Sequence, residues 1–166
     1  MHFEEIQQAN DWQLVARLAT NEIGFDGSFQ ALEYLLIKAG VTEDAASTLF
    51  YPSVELVQGK EVHDIDVDAM DGDELFDYYS NALTYTMPKT VGLLWQAVQA
   101  ISVEQISSLY NSQELRAKGI YPWNWHDDES ENQAFNRRHI TQDYQALQKF
   151  YEAASHAGDY VFYTVD

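Results

Sequence analysis

Aspartates crowd one short stretch of the chain, at Asp64, Asp66, Asp68, Asp71 and Asp73, with Asp77 just beyond. Oxygen donors so close together are the raw material of a calcium loop. An EF-hand loop starting at Asp64 needs glycine at its sixth position for the sharp turn and glutamate at its twelfth to chelate. Those positions hold Ala69 and Leu75, so the calcium reading fails and a solvated turn leading into a helix is the better one. The five histidines, His2, His63, His126, His139 and His156, stand in no HExxH or other strong ligand spacing. His126-Asp127-Asp128-Glu129 gathers four ligand types, but sequence neighbours seldom converge on one ion, and acids there also suit the first turn of a helix. With no cysteine, disulfides, thiolate metal sites and a thiol nucleophile are all excluded. The sequence has no GxSxG elbow, no GxxxxGK[ST] phosphate loop and no GxGxxG fingerprint. It therefore points to no cofactor, no resident metal and no assigned catalytic residue.

Two other features have physical content. Ile120-Tyr121-Pro122-Trp123-Asn124-Trp125 is an aromatic loop, because the residue before a proline is pushed out of the helical region. Tyrosine and tryptophan are favoured at binding hot spots, yet alternate aromatics also plug cores. The core reading leads for Trp125, and Trp123 stays open between the two. Tyr85, Tyr121, Trp123, Trp125 and His126 are the candidate lining of a small-ligand pocket. The second feature is charge. Twenty-seven acids against nine bases leave a formal net charge of −18 on 166 residues. Such a surface repels nucleic acid and anionic lipid, whose binding draws on Lys and Arg, and it attracts basic proteins. Solubility is the plain alternative. Asp64, Asp66, Asp68, Asp71, Asp73, Asp77, Asp127 and Asp128 are the candidate contacts to a basic partner. Arg137-Arg138 is the only basic pair, and it serves better to offset those acids than to bind phosphate.

The elements that must position these groups are readable from periodicity. Asn10 could cap a helix to Thr20 carrying Trp12, Val15, Ala16 and Ala19. Ser28 caps a second, with Phe29, Leu32, Leu35 and Leu36 as its apolar stripe and Gly40 as its stop. Leu49 to Val67 reads as extended, with Val54 and Leu56 on one strand, a turn at Gly59, and Val62, Ile65 and Val67 on the next. Asp71-Gly72-Asp73 turns into a helix from Glu74 to Leu83. Pro88 opens a helix bearing Val91, Leu94, Trp95, Val98 and Ile101. Ser102-Val103-Glu104-Gln105 is a capping box, starting a helix with Ile106, Leu109, Tyr110 and Leu115 that ends near Gly119. A long helix from Asn132 to Ala157 presents Phe135, Tyr144, Leu147, Phe150, Tyr151 and Ala154, and Gly158 stops it. Tyr160 to Val165 closes the chain as a well-covered strand. The order predicts an α+β fold, a single compact domain, mainly helical, with a small and mostly antiparallel sheet that includes the C-terminal strand. With 46% hydrophobic and 14% aromatic residues there is ample material for one core. The N-terminus shows neither the basic nor the apolar region of a secretory leader, so a cytoplasmic, non-membrane protein is expected.

Pro88-Lys89-Thr90-Val91, Ile120-Tyr121-Pro122 with Trp125 and the acids after it, Phe150-Tyr151-Glu152-Ala153-Ala154, Gly158 and the hydrophobic end together carry a resemblance. This second half resembles the YfbM-like family of bacterial domains of unknown function, and Phe29 to Leu36 resembles its first helical segment more weakly. The chain departs from the family at Met1-His2-Phe3-Glu4-Glu5, where members open with a short glycine-containing strand. The resemblance implies a compact α+β fold and no activity. The expected function is an acidic protein-binding module, in concrete form an immunity or antitoxin protein that neutralises a basic-surfaced toxin or nuclease. A small-ligand protein or enzyme with a pocket at the Tyr-Pro-Trp loop is one alternative, and a DNA mimic is another.

Overall fold

A computed structural model describes residues 19, 21–25, 27–52, 54–57, 60–61, 66–75, 83–131 and 133–163. The helix placed from Asn10 to Thr20, the turn at Gly59, the strand residues Val62 to Ile65, and Asp64 and Asp77 lie outside them, apart from Ala19, which is not helical.

Helix α1, Phe29–Lys38, buries Ala31, Leu32, Leu35 and Leu36, the stripe that the sequence spacing predicts. Its end is set by chirality. Gly40 takes φ +105°, which lets Gly40 N–H reach Ile37 O and Val41 N–H reach Leu36 O, both at 3.0 Å. This paired bond is the Schellman ending, and a side chain at that φ would be strained. Its start differs from expectation. Ser28 stands at the N-cap position, but its hydroxyl does not cap the helix. It donates instead to Asp143, fastening the start of α1 to the long C-terminal helix.

Helix α2, Glu43–Thr48, is capped by the Thr42 hydroxyl, which accepts from Ala45 N–H. Strands β1, Val54–Val57, and β2, Lys60–Glu61, form the expected antiparallel pair. The second strand does not run on to Val67, because Val67–Ala69 is a 3₁₀ turn. The chain is helical over residues 72–75, with Asp71 Oδ1 accepting from Glu74 N–H. That helix does not reach Leu83, which opens strand β3, Leu83–Thr86.

Helix α3, Pro88–Gln99, has proline at its first turn and buries Val91, Leu94 and Val98. It ends without a basic residue or a glycine, so its last carbonyls need partners from elsewhere. Tyr144 Oη lies 2.9 Å from Val98 O and 3.0 Å from Ile101 O, and Gln148 Nε2 donates to the same pair. The helix expected from Ser102 to Gly119 is two helices, α4, Val103–Leu109, and α5, Ser112–Ala117. Ser102 caps the first as predicted. Tyr110 is extended, and Asn111 starts a new helix by accepting from Glu114 N–H at 2.9 Å.

Helix α6, Arg137–Ala157, begins five residues later than the sequence reading and lies along α3, α4 and α1. Its inner face is Ile140, Tyr144, Leu147, Tyr151 and Ala154. Phe135 belongs to the loop before it, at φ +56°. Asn136 is the cause of the late start. It is fully buried, its Oδ1 accepts from His139 N–H, and its amide donates to Gln133 O and Ser130 O. Asn136→Ala removes the cap and takes the side-chain donor from Gln133 O, while Ser130 O keeps the Gln133 N–H, so it is expected to cost about 2 kcal/mol, the upper end for a cap. A urea midpoint lowered at unchanged slope checks this.

The sheet runs in the order β2-β1-β3-β4, every pair antiparallel, with β4, Val161–Tyr163, on β3 in the register Tyr85 to Phe162. Among the described residues β4 has a neighbour on one side only, and Phe162 and Tyr163 are half-buried rather than fully covered. No helix among the described residues is long and apolar enough to cross a membrane.

Candidate interaction surface at the Tyr-Pro-Trp loop

The loop leaves α5 through a second Schellman ending, with Gly119 at φ +67° and Ile120 N–H on Leu115 O. The Tyr121–Pro122 peptide is cis. Beyond it the two tryptophans part company. Trp125 is fully buried, its indole N–H donates to Ile120 O at 3.0 Å, and its ring meets Tyr110 and Phe135 edge-on. Its own carbonyl accepts from the Arg116 guanidinium. Tyr110 Oη lies 2.7 Å from His126 O, and His126 N–H donates to Phe135 O, tying the loop to the residues before α6. The Arg137 guanidinium lies over the Tyr110 ring at 5.8 Å. Burial, with the nearby Asp127 charge adding to it, pushes the Tyr110 phenol up to about 12 against the pull of Arg116 and Arg137. Phe135 N–H donates to His139 Nδ1, so the ring proton of His139 sits on Nε2, 3.4 Å from Asp143.

Trp123 faces the other way and is 62% exposed, with Tyr121 beside it at 40%. Their ring centroids are 5.0 Å apart at 85°, an open perpendicular corner. The corner is fixed in place. Trp123 Nε1–H donates to Gly119 O and its backbone N–H to Ile120 O, each at 3.0 Å. Tyr121 N–H donates to Gln30 Oε1 of α1. Gly27, at φ +85°, lies so close that a Cβ there would sit 2.7 Å from Tyr121 Cε1. Trp123 itself holds φ +69°, where a bulky L-residue pays about 1–2 kcal/mol. That strain is not offset by burial of its ring.

The candidate acids divide by what they do. Asp66, Asp68, Asp71, Asp73, Asp127 and Asp128 are all exposed. Asp71 also caps a helical turn, Asp128 Oδ1 accepts from Ser130 N–H, and Asp127 accepts from the buried Ser112 hydroxyl at 2.6 Å. The acids after His126 do not start a helix as expected; they run through the loop, and Glu129 pairs with Arg137 at 2.9 Å. Of the candidate pocket residues, Tyr121 and Trp123 come together on the surface, and Trp125 is buried against Tyr110 and Phe135. His126 is half-buried, and Tyr85 is in β3 with its ring against Tyr160 and Phe162. None of the five lines the open groove of about 570 Å³ between α4 and α6, bounded by Val103, Glu104, Ser107, Ser108, Arg137 and Thr141. Among the described residues no three His, Asp or Glu side chains gather as a metal site. Sequence reasoning missed Gly27, Gln30 and Tyr110 as supports of the loop. Only Tyr110 left a signal, as an aromatic just before a capping residue.

Nearly the whole sequence, residues 2–164, fits the family model described as a domain of unknown function, DUF1877. The chain belongs to that family. No curated protein and no solved structure matches it. In this DUF1877 chain the match takes in the helices, the loop and the last strand alike, so the corner at Tyr121 and Trp123 is part of the matched domain and not an appendage to it.

Proposed function

We propose that this DUF1877 domain is an acidic protein-binding module that sets Tyr121 and Trp123 on a basic surface of a partner protein. One observation carries the reading: a tryptophan held at a strained left-handed φ, hydrogen-bonded into a fixed pose, and still 62% exposed. Folding alone does not account for that combination, because strain without burial lowers stability, whereas preorganised aromatic area is what binding hot spots use. The net charge of −18 supplies the sign of the partner and steers its approach. In concrete form the module is an immunity or antitoxin protein of the bacterial cytoplasm, acting on a toxin or nuclease with a cationic cleft, and the YfbM-like resemblance agrees with a bacterial setting. The ligand-pocket alternative would rest on the groove between α4 and α6. There the Ser108 and Thr141 hydroxyls donate to carbonyls of their own helices and Arg137 is paired with Glu129, so the groove offers a ligand little.

Affinity capture from native-host lysate tests the proposal, run at low and moderate salt with the wild-type chain and with Trp123→Ala. A single stoichiometric basic partner is expected on the wild type, weakened at least tenfold by the substitution, as for a hot-spot residue worth about 2 kcal/mol. Equal capture by both proteins, or only diffuse basic proteins lost on adding salt, would return the acidity to solubility.

A further inference from the structure

The perpendicular corner between Tyr121 and Trp123 has a chemistry of its own, and we propose that it is the seat of an arginine side chain presented by the partner. The inference rests on the binding reading above and names the group that the face receives. Two rings at 85° with centroids 5.0 Å apart leave, beside the stem of the T, one ring face as a wall and the overhang of the other as a roof. Ring faces carry the negative end of the aromatic quadrupole, so such a recess favours a cation, and tryptophan most strongly of the three aromatics. The indole N–H is already bonded to Gly119 O, which leaves the Trp123 ring little to offer a ligand except its π-system.

Elsewhere the chain sets its own cations over tyrosine rings, one half-buried and one buried. Lys118 Nζ lies 5.5 Å from the Tyr34 ring centre and the Arg137 guanidinium 5.8 Å from that of Tyr110. Among the described residues no lysine or arginine covers Tyr121 or Trp123. The corner is thus an exposed aromatic site whose cation would have to come from another molecule. The net charge favours a positive visitor, and the exposed Asp127 and Asp128 follow directly in the loop. Guanidinium suits it better than ammonium. It is planar, stacks on a ring face, and sheds its weakly held water more readily.

The probes are N-acetyl-arginine amide, its uncharged isostere N-acetyl-citrulline amide, and N-acetyl-lysine amide. They are titrated into the full chain at 0.15 M salt, where the Debye length of about 8 Å screens the bulk attraction of the acids. The indole N–H resonance of Trp123, assigned by its absence from Trp123→Phe, is followed. Saturable shifts are expected with arginine amide, at an affinity about fivefold above citrulline amide, corresponding to about 1 kcal/mol. Lysine amide should be weaker than arginine amide, and Tyr121→Ala should remove the preference. Equal affinity for arginine and citrulline, lysine binding as tightly as arginine, or shifts confined to acidic residues with Trp123 unmoved would each overturn the assignment. Partner capture that depends on Trp123 without any arginine preference would leave the binding face standing and remove this inference alone.

Discussion

Trp125→Ala lowers the stability of the chain by about 3–5 kcal/mol, while Trp123→Ala, two residues away, stays within about 0.5 kcal/mol of the wild type. The first change empties a fully buried site, strips the edge contacts to Tyr110 and Phe135, and leaves Ile120 O without its indole donor. The second removes a ring that is mostly in water, and alanine inherits the same unfavourable φ, so folded and unfolded states lose nearly the same thing. For a chain of this length each kcal/mol moves the melting temperature by about 2–4 °C, so Trp125→Ala should melt roughly 6–20 °C lower. Against a typical total of about 5–15 kcal/mol, that is roughly a fifth or more of what holds a small domain together. Thermal and urea unfolding of both variants are the measurement. A large loss from Trp123→Ala would mean that its ring serves the fold, and the binding proposal would then lose its main support.

The same pair shows where reading the sequence stops. Tyrosine, proline and tryptophans in one run announce a rigid aromatic loop, but in extended chain residues two apart share a face, which would put Trp123 and Trp125 on the same side. Here the left-handed backbone at Trp123 turns the two apart, and Tyr110 and Phe135, fifteen and ten residues away from Trp125, receive its ring. The left-handed φ of Trp123 left no trace, since no glycine or asparagine occupies that position. Helices α1 and α6 were legible where local signals agreed: apolar residues at three- and four-residue steps, and Gly40 and Gly158 to stop them. The break at Tyr110 was written in the sequence as well. Asn111 with Glu114 three places on is the same start signal as Ser102 with Gln105, and the continuous apolar pattern around it concealed the interruption. Strand β3, Leu83-Thr84-Tyr85-Thr86, has the β-branched and aromatic residues of a good strand, but the helix start at Glu74 with Leu83 in its apolar pattern hides where it begins. What no local signal holds is which acids stand free. Asp71 and Asp128 read as charge in the sequence and turn out to be local caps as well.

Raising the pH above 10 is expected to unfold the chain cooperatively, between about pH 11 and 12, through its buried tyrosines. Tyr144 and Tyr151 are held well above the ordinary phenol value, chiefly because burial penalises the phenolate. Tyr110 stands at about 12, for the same first reason. In the unfolded chain all three ionise near pH 10. Above that pH the unfolded state has released protons that the folded state keeps, so the stability they contribute is complete below about pH 10 and falls as pH climbs towards the folded values. Each tyrosine makes a slope of about 1.4 kcal/mol per pH unit, and the three together about 4 kcal/mol per unit, enough to exhaust a typical domain within two units or so. These phenols also hold the helix ends: Tyr151 Oη donates to Leu49 O at the end of α2, and Tyr144 Oη serves the last carbonyls of α3. Ionisation removes the very proton those bonds use, so loss of the charge balance and loss of helix should coincide. Tyrosinate absorbance and far-ultraviolet circular dichroism, followed together, should show one shared late step after the exposed phenols have titrated. In Tyr144→Phe that step should become shallower, by about a third, while neutral-pH stability drops by about 1 kcal/mol for the lost hydrogen bond. Complete tyrosinate formation with the helices intact would show that these rings ionise in place and that their burial does not govern the alkaline limit of the fold.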